Sequence, residues 1–181
     1  YFYDNKLYDL AKHFEQFGSS RSLGVVAFNS AQAELIDSKL SQIRTENDSY
    51  AAYFSEDLKE PFFIKNIETV QGDERDTIIL STTYGLDQNK KLSMNFGALN
   101  RDAGYRRLNV AITRSRINMQ VVTSLKASDI RINDSTKRGL RFLKKYLEYA
   151  ETGEDYKVDE VNSHADFDSI KRGDWYRLIT K

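Results

Sequence analysis

The chain has 181 residues, enough for one well-formed α/β domain with appendages and too few for two full-sized domains with independent cores. Hydrophobic residues make up 40% and charged residues 30%, and no apolar run approaches the ~18 residues of a membrane span. Cysteine is absent, which excludes disulfides and thiolate metal sites, and the two histidines are too far apart in sequence for a local metal motif. We therefore expect a soluble, cytoplasmic, globular protein without a metal site of its own.

Charge is balanced over the whole chain but segregated along it. Lys plus Arg and Asp plus Glu each total 27, so net charge does not indicate a nucleic-acid partner. The range 101–116 carries five arginines against one aspartate, and 131–145 carries six basic residues against one aspartate. The range 148–168 instead carries eight acidic residues against one lysine. Because the chain begins with Tyr and has no signal peptide, we expect an internal piece of a longer protein.

The first half of the chain alternates helical and strand patterns. Its predicted elements are, in order, an N-terminal helix over 4–17, a strand over 22–30, a helix from about 31 to 43, a weakly patterned helix over 45–60 that ends before Pro61, and a strand over 62–67. The strand over 22–30 is a short apolar run, which is typical of a strand covered on both faces of a parallel sheet. His13, beside the apolar stripe of the first helix, is predicted to be a packing or surface residue.

The second half continues the alternation around a long polar segment. Its predicted elements are a turn over 70–76, a central strand over 77–84, a loop over 86–104, a helix over 106–116, a strand over 118–125 and a helix over 135–150. The basic side of the last helix predicts a solvated face, with a minor role along a nucleic-acid path as the alternative. The last residues, 169–181, fit either a strand or a docking segment for whatever follows. The alternation of strands and helices predicts a parallel α/β sheet flanked by helices.

Residues 106–116 form a predicted buried helix with guanidinium groups near both ends. At helical spacing Arg107 and Arg114 share one side with Val110 and Ala111. Arg offers a planar, always charged fork that a phosphate accepts, so this arrangement favours a phosphate grip. An ordinary amphipathic helix with solvated arginines is the open alternative.

Three polar segments, 28–32, 70–76 and 106–116, fall at loops or helix starts of the predicted sheet. Open α/β sheets place ligands beyond the carboxyl ends of their strands, and 28–32 follows such an end. Its polar groups fit either a ligand site or simple helix caps. In the second segment, Arg75 and Asp76 are predicted to be structural.

These segments resemble motifs of the superfamily 1 helicases, in the class that moves 5′ to 3′. LGVVAFNSAQ resembles motif IV, VQGDERDTIILS resembles motif V, and RRLNVAITRSR resembles motif VI. The resemblance covers about residues 20–150 and implies a RecA-like (P-loop NTPase-type) second motor domain over 20–151, after an N-terminal helix and linker (1–19) and before an acidic linker and tail (152–181). LSMNFGALNRDAG also resembles a bacterial subgroup of large helicase-like proteins, in which a nuclease-like domain can follow the motor.

The resemblance implies that this domain completes an ATP site with a first RecA-like domain of the same protein. ATP and Mg²⁺ would be shared between the two domains, and Arg114 would act as the arginine finger that stabilises charge on the γ-phosphate. Arg107 would assist the phosphates or brace an acidic partner. Gln71, Gly72 and Glu74 match family positions that reach the nucleotide and the domain interface.

Single-stranded DNA or RNA would lie across the top of both domains and be contacted through phosphates and stacked bases. By the resemblance, the residues placed to contact it are Asn29, Ser30, Gln32, Asn66, Glu68 and Thr69. Relatives usually read T-V-D where this chain has Asn66, Ile67 and Glu68, so an amide replaces a familiar hydroxyl contact.

Half of an ATPase site is missing from the sequence. There is no Gly-Lys dipeptide and hence no phosphate loop, and neither Asp73-Glu74 nor Asp159-Glu160 follows an apolar strand as a Mg²⁺-binding pair would. We therefore expect no ATPase activity from this chain alone. Two rival functions are a non-catalytic RecA-like interaction module and a nuclease fragment. The intact motif residues disfavour the first, and the tail offers no convincing acidic cluster for the second.

Overall fold

The structure, a computed structural model, describes residues 13–46 and 52–152 and the backbone of one further strand. Residues 13–17 are helical. The strands are β1 (Leu23–Ala27), β2 (Phe63–Asn66), β3 (Arg75–Ser81), β4 (Ser115–Thr123) and β5 (Tyr176–Thr180). The helices are α1 (Ser30–Glu46), α2 (Gly104–Ile112) and α3 (Arg138–Thr152), with 3-10 turns at Gly18–Ser20, Gly97–Asn100 and Ala127–Asp129.

The five strands form one parallel sheet in the order β2-β1-β3-β4-β5. Their carboxyl ends therefore lie along one end of the sheet, called the carboxyl edge below, and their amino ends lie along the opposite amino edge. Helices cover the sheet, which confirms the predicted α/β fold class. No helix in 13–46 or 52–152 is both long and apolar enough to cross a membrane.

The core has two layers because successive side chains of a strand point to opposite faces. On β3, Ile78 and Leu80 join the cluster beneath α2 and α3, while Ile79 joins the cluster beneath α1. On β1, Val26 belongs to the first cluster and Val25 to the second. Both faces of these central strands are buried, and for that reason their sequences read as continuous apolar runs.

The turn Gly97–Asn100 is wedged between the first turns of α2 and α3. A Cβ atom added at Gly104 would lie 2.4 Å from the carbonyl oxygen of Leu99, and one added at Gly139 would lie 2.2 Å from the same oxygen. Leu99 itself is fully buried. Two glycines therefore let two helices approach one backbone carbonyl, and this contact fixes α2 relative to α3.

The prediction of a helix over 106–116 is wrong at the carboxyl end. The helix stops at Ile112, and Arg114 lies in the connection before Ser115 starts β4. The backbone N–H of Arg75 donates a hydrogen bond to the carbonyl oxygen of Arg114 (3.1 Å), so pairing with β3 replaces the next helical turn. Arg107 and Arg114 consequently do not share a helical face, because tertiary pairing overrides local helix propensity.

The prediction of a helix over 45–60 is also wrong for residues 52–60, the described part of that range beyond α1. Residues 52–54 form a 3-10 turn, and 55–60 form further turns and bends. Phe14 stacks on Tyr53 with ring centroids 4.5 Å apart and meets Phe54 edge to face at 5.3 Å. Packing of two consecutive aromatic residues on one ring outweighs the weak helical pattern.

Two other predictions concern the ends of the chain. His13 is 3% exposed, with Nε2 lying 3.3 Å from the Arg21 carbonyl oxygen, and burial lowers its pKa, so the packing alternative is confirmed. Tyr176–Thr180 pairs with β4, which resolves the strand-or-docking alternative in favour of a strand. The first part of the predicted N-terminal helix, 4–12, and most of the acidic stretch, 153–168, lie outside the described residues, and the domain boundaries stay a prediction.

Candidate functional site

Residues 66–75 cross the molecule from the carboxyl end of β2 to the amino end of β3 and are called the 66–75 segment. Ile67 and Val70 anchor it in the core, at 3% and 0% exposure, while Gln71 and Gly72 are exposed. Gly72 has φ +91°, a conformation that side chains with a Cβ rarely adopt, and the space around it is open. The segment therefore presents Gln71 and Gly72 to solvent on a fixed base.

Arg107 of α2 reaches the carboxyl-edge end of this segment. Its Nε atom lies 3.4 Å from Oε1 of Glu68, and Nη1 of Arg101 donates a hydrogen bond to the same oxygen at 2.8 Å. Glu68 thus sits between two arginines. Sequence reasoning placed Glu68 on nucleic acid and did not single out Arg101, although the arginine-rich range 101–116 was the available signal.

Arg114 reaches the amino-edge end of the same segment. Its Nε donates to the carbonyl oxygen of Val110 (2.9 Å), its Nη2 donates to Oγ1 of Thr113 (3.1 Å), and its Nη1 lies 3.7 Å from Oε1 of Glu74. Only 18% of the Arg114 side chain is exposed. Arg114 is therefore oriented by α2 itself, with its remaining N–H groups directed at a carboxylate in loose contact.

The two ion pairs bracket the exposed Gln71-Gly72 pair in sequence. A carboxylate that holds a guanidinium at 3.4–3.7 Å can be replaced by a phosphate, which offers the same bidentate acceptor geometry with more charge. The donor set therefore fits the phosphates of a nucleotide. Among residues 13–46 and 52–152 there is no group of three His, Cys, Asp or Glu side chains that could hold a metal ion.

Asn66 and Thr69 form a closed turn at the carboxyl edge. Oδ1 of Asn66 accepts hydrogen bonds from the backbone N–H of Glu68 (2.8 Å) and of Thr69 (3.1 Å). The backbone N–H of Asn66 in turn donates to Oγ1 of Thr69 (3.2 Å). Because Oδ1 is engaged, the Nδ2 amide group is the end of Asn66 that remains for a ligand, and it is a hydrogen-bond donor.

The next strand along the carboxyl edge ends at the other predicted nucleic-acid residues. Asn29 caps α1, since its Oδ1 accepts a hydrogen bond from the backbone N–H of Gln32 (2.8 Å), and its side chain also hydrogen-bonds the Tyr84 hydroxyl. Burial raises the pKa of that hydroxyl. Ser30 is exposed, but Gln32 is only 8% exposed, and its Nε2 is buried without a partner among the described residues. Asn29 and Ser30 thus lie at the edge, whereas Gln32 points inward.

Arg116 belongs to a separate network at the amino edge. It donates hydrogen bonds to Oε1 of Glu60 (2.7 Å), to Oδ1 of Asp76 (3.0 Å) and to Oγ of Ser22 (3.1 Å). Nε of Arg75 donates to the Pro61 carbonyl oxygen at 2.9 Å. Arg75 and Asp76 are therefore structural, as predicted. Nothing in the sequence pattern indicated Glu60.

Lowering the pH is expected to weaken this network. The hydrogen bond from Arg116 lowers the pKa of Glu60 from 4.5 to about 2. A carboxylate with a depressed folded-state pKa stabilises the fold above its unfolded pKa, and that contribution is lost as pH falls from about 4.5 towards 2. The melting temperature should therefore fall with pH in this window, and Glu60→Gln should flatten the dependence. Glu56→Gln, at an exposed position with no ion pair among the described residues, is the control; a wild-type profile in Glu60→Gln would contradict the prediction.

Comparison with known proteins identifies relatives of the chain. Residues 4–126 match the family described as AAA domain. The chain is 35% identical over 155 residues to an uncharacterized ATP-dependent helicase homolog of Mycoplasma pneumoniae, covering 79% of this chain and 13% of that protein. It is 31% identical over 176 residues to an uncharacterized ATP-dependent helicase of Mycoplasma genitalium, covering 91% of this chain and 14% of that protein. No solved structure matches the chain significantly.

The family match agrees with the fold. It covers more than half of the chain and includes β1 to β4 with the 66–75 segment and α2. The parallel sheet and flanking helices are those of a RecA-like domain. The chain spans only 13–14% of the length of its curated relatives, so the match concerns one domain of much longer proteins. The chain belongs to the AAA domain family and is a superfamily 1 helicase-like domain.

Proposed function

We propose that this chain is the second, C-terminal motor domain of a cytoplasmic ATP-dependent superfamily 1 helicase or translocase. The full protein would couple ATP hydrolysis to movement along single-stranded nucleic acid. One observation carries the proposal: α2 and the connection that follows it place Arg107 and Arg114 against the two ends of the 66–75 segment, on either side of the exposed Gln71-Gly72 pair in sequence. Two guanidinium groups bracketing an exposed Gln-Gly pair form one half of a nucleotide site.

On the nucleotide side, this domain contributes positive charge. Arg114 acts as the finger that stabilises charge developing on the γ-phosphate, and Arg107 assists or steadies the segment through Glu68. Glu74 keeps the Arg114 guanidinium in place until a phosphate replaces the Glu74 carboxylate as its partner. Gly72 lets the segment approach the nucleotide closely, because it has no side chain. The phosphate loop and the Mg²⁺ ligands are expected from the first RecA-like domain of the same protein.

On the nucleic-acid side, the carboxyl edge offers hydrogen-bond donors. The Nδ2 group of Asn66 and the hydroxyl of Ser30 lie at the ends of β2 and β1, which are neighbours in the sheet, and Thr69 closes the turn that orients Asn66. Donors of this kind bind phosphate oxygens of a single strand without reading its sequence. The 66–75 segment joins this edge to Arg114.

Asn66→Asp in the full-length protein tests this function. The substitution preserves Oδ1, which closes the turn, but replaces the donating Nδ2 group with an oxygen that repels phosphate. Loss of one hydrogen bond to a charged group corresponds to about tenfold or more in affinity. We therefore expect the single-strand concentration for half-maximal ATPase stimulation to rise about tenfold, with the ATPase rate in the absence of nucleic acid unchanged.

The control is Gln16→Glu, which makes the same change of charge at an exposed position on the N-terminal helical turn. It should leave stimulation at the wild-type level. If wild-type full-length protein shows no ATPase activity that single strands stimulate, the motor function is wrong and the interaction-module reading replaces it. If Asn66→Asp behaves as wild type, the carboxyl edge is not the nucleic-acid path.

A further inference from the structure

A groove of about 420 Å³ lies beyond the carboxyl ends of β3 and β4. It is lined chiefly by Leu86, Lys90, Lys91, Leu92, Met94 and Arg131, and is called the hairpin groove. None of these residues was assigned a role by the motifs. The groove thus adds basic and apolar side chains to the carboxyl edge, outside the site described above.

The hairpin that forms one wall is a built structure within the long polar segment. Leu86 and Leu92 pair as an antiparallel bridge, and the backbone N–H of Asp87 donates to the Lys91 carbonyl oxygen at 2.8 Å. Oδ1 of Asp87 also accepts hydrogen bonds from the backbone N–H groups of Asn89 and Lys91, both at 2.8 Å. Lys90 has φ +57°, where glycine or asparagine is usual. The turn therefore presents two lysines from a fixed backbone.

The groove carries excess positive charge. The side chains of Lys90, Lys91 and Arg131 make no hydrogen bond or ion pair with any described residue. The opposing carboxylate in the lining is Asp129, whose Oδ2 already accepts a hydrogen bond from the backbone N–H of Lys126 (2.8 Å). Even when the carboxylate of Asp87 in the hairpin is counted, three cations against two hydrogen-bonded carboxylates leave the groove with excess positive charge, which is complementary to a polyanion.

Cations on nearby α3 and just before it differ, because other described residues hold them in hydrogen bonds or ion pairs. Lys137 pairs with Asp102 at 2.9 Å, and Nε of Arg141 donates to the Thr136 carbonyl oxygen at 3.0 Å. Nζ of Lys144 donates to the Ala127 carbonyl oxygen at 2.8 Å. Unlike these three cations, Lys90, Lys91 and Arg131 have side chains without a hydrogen bond or ion pair among the described residues.

The groove also has an apolar component. Leu86 is 45% exposed, and Leu92 and Met94 are half-buried against the core cluster beneath α2 and α3. A single nucleic-acid strand combines a charged backbone with apolar base faces, so cations beside apolar side chains complement it better than they complement a free anion.

The hairpin groove continues the predicted nucleic-acid edge. The sheet order places the ends of β2, β1, β3 and β4 side by side, which brings Asn66, Asn29 and the hairpin into one row. The Tyr84 hydroxyl hydrogen-bonds Asn29, and Oγ of Ser124 donates to the Tyr84 carbonyl oxygen at 3.3 Å. Tyr84 thus links the middle of the row to the ends of β3 and β4.

The geometry points to an auxiliary binding site for single-stranded nucleic acid in the hairpin groove, which lengthens the path along the carboxyl edge. This inference rests on the proposed function of that edge. The cations of the groove contact phosphates, and the leucine and methionine side chains pack against bases. The site adds affinity for strands long enough to span both regions and adds nothing for shorter ones.

The test uses the full-length protein and labelled oligothymidylates of graded length, with affinity measured by fluorescence anisotropy at several salt concentrations. The variant combines Lys90→Asn, which suits the left-handed backbone, with Lys91→Gln and Arg131→Gln. Each phosphate contact on a single strand contributes about 0.7 to the slope of log affinity against log salt. Loss of three contacts should lower the slope by about 2 and the affinity for long strands at 0.1 M salt by roughly 100-fold.

The matched control removes three other exposed charges, with Lys39→Gln, Arg44→Gln and Lys59→Gln, and should bind as wild type. Asn66→Asp is measured in parallel and should lower the affinity for short and for long strands alike. An unchanged slope in the groove variant, while Asn66→Asp still weakens binding, overturns the groove alone. If Asn66→Asp leaves binding unchanged, the carboxyl edge is not the nucleic-acid path, and the proposed function of that edge is wrong. If the groove variant keeps its slope but loses binding to poly-glutamate, the groove binds acidic polypeptide and the inference is wrong.

Discussion

Arg114→Ala in the full-length protein is expected to lower the ATPase rate stimulated by nucleic acid by roughly 10³-fold, the smaller end of the range for an arginine finger. The reason is positional: the Val110 carbonyl oxygen of α2 and the hydroxyl oxygen of Thr113, just after the helix, fix the guanidinium, so its remaining N–H groups are oriented before any ligand binds. Affinity for single strands should stay at the wild-type level, because Arg114 lies towards the amino end of β4, away from the carboxyl edge.

The Arg114→Ala experiment is compared with two further variants. Arg114→Lys keeps the charge but loses the fork and the bond to Val110, so it should recover only part of the rate. Arg44→Ala, which removes an exposed arginine of α1, should turn over as wild type. Alanine at 114 also removes two hydrogen bonds, each worth about 1 kcal/mol, so each variant's melting temperature is recorded. Near wild-type turnover by Arg114→Ala would refute the finger role.

Gly139→Ala is expected to destabilise the domain by about 1–3 kcal/mol, as overpacked cores do. On helix propensity alone the change would stabilise by up to about 1 kcal/mol, so the two effects have opposite signs. The steric clash outweighs the gain in helix propensity, because the new methyl would lie 2.2 Å from the Leu99 carbonyl oxygen and 3.2 Å from the Tyr105 backbone nitrogen. Backbone atoms, unlike a side chain, cannot rotate away. The measurement is the free energy of unfolding of the chain in urea.

Gly85→Ala is the matched control for Gly139→Ala. Its Cβ would meet Oγ of Ser124 at 2.7 Å, but that atom is the end of an exposed side chain that can rotate away at the cost of its 3.3 Å hydrogen bond to the Tyr84 carbonyl oxygen. We expect a loss of about 0.5 kcal/mol, the lower end of the range for one hydrogen bond, because this one is exposed. A stable Gly139→Ala variant would mean that α3 can move away from the turn Gly97–Asn100 without loss.

The parts of the fold that sequence reasoning recovered are those dictated by local pattern. The apolar runs 22–30 and 77–84 identified β1 and β3, because a strand buried on both faces has no polar side to interrupt it. Their alternation with α1 and α2 was enough to predict the parallel sheet. The resemblance to motifs V and VI assigned Gln71, Gly72 and Glu74 to the same nucleotide site as the two arginines, and the structure brings both arginines to the 66–75 segment.

What local pattern could not give were features set by partners distant in sequence. The end of α2 at Ile112 depends on pairing of Arg114 with Arg75, and a single stretch read at helical spacing contains no trace of that bond. Glu60 is a further case, since its role depends on Arg116, 56 residues away. The hairpin groove joins two loops that follow different strands, so its charge was split in the sequence between a lysine pair and a distant arginine.

The 66–75 segment has a thermodynamic consequence for a motor. Its glutamates hold Arg107 at one end and Arg114 at the other, and between them Val70 is locked in the core. Under the proposed function, a strand phosphate that takes Arg107 from Glu68 and a nucleotide phosphate that takes Arg114 from Glu74 would both release contacts of this one short stretch. Binding at the two ends would then carry a coupling free energy, and linkage would make it reciprocal: the factor by which a strand changed the affinity for nucleotide would equal the factor by which nucleotide changed the affinity for the strand.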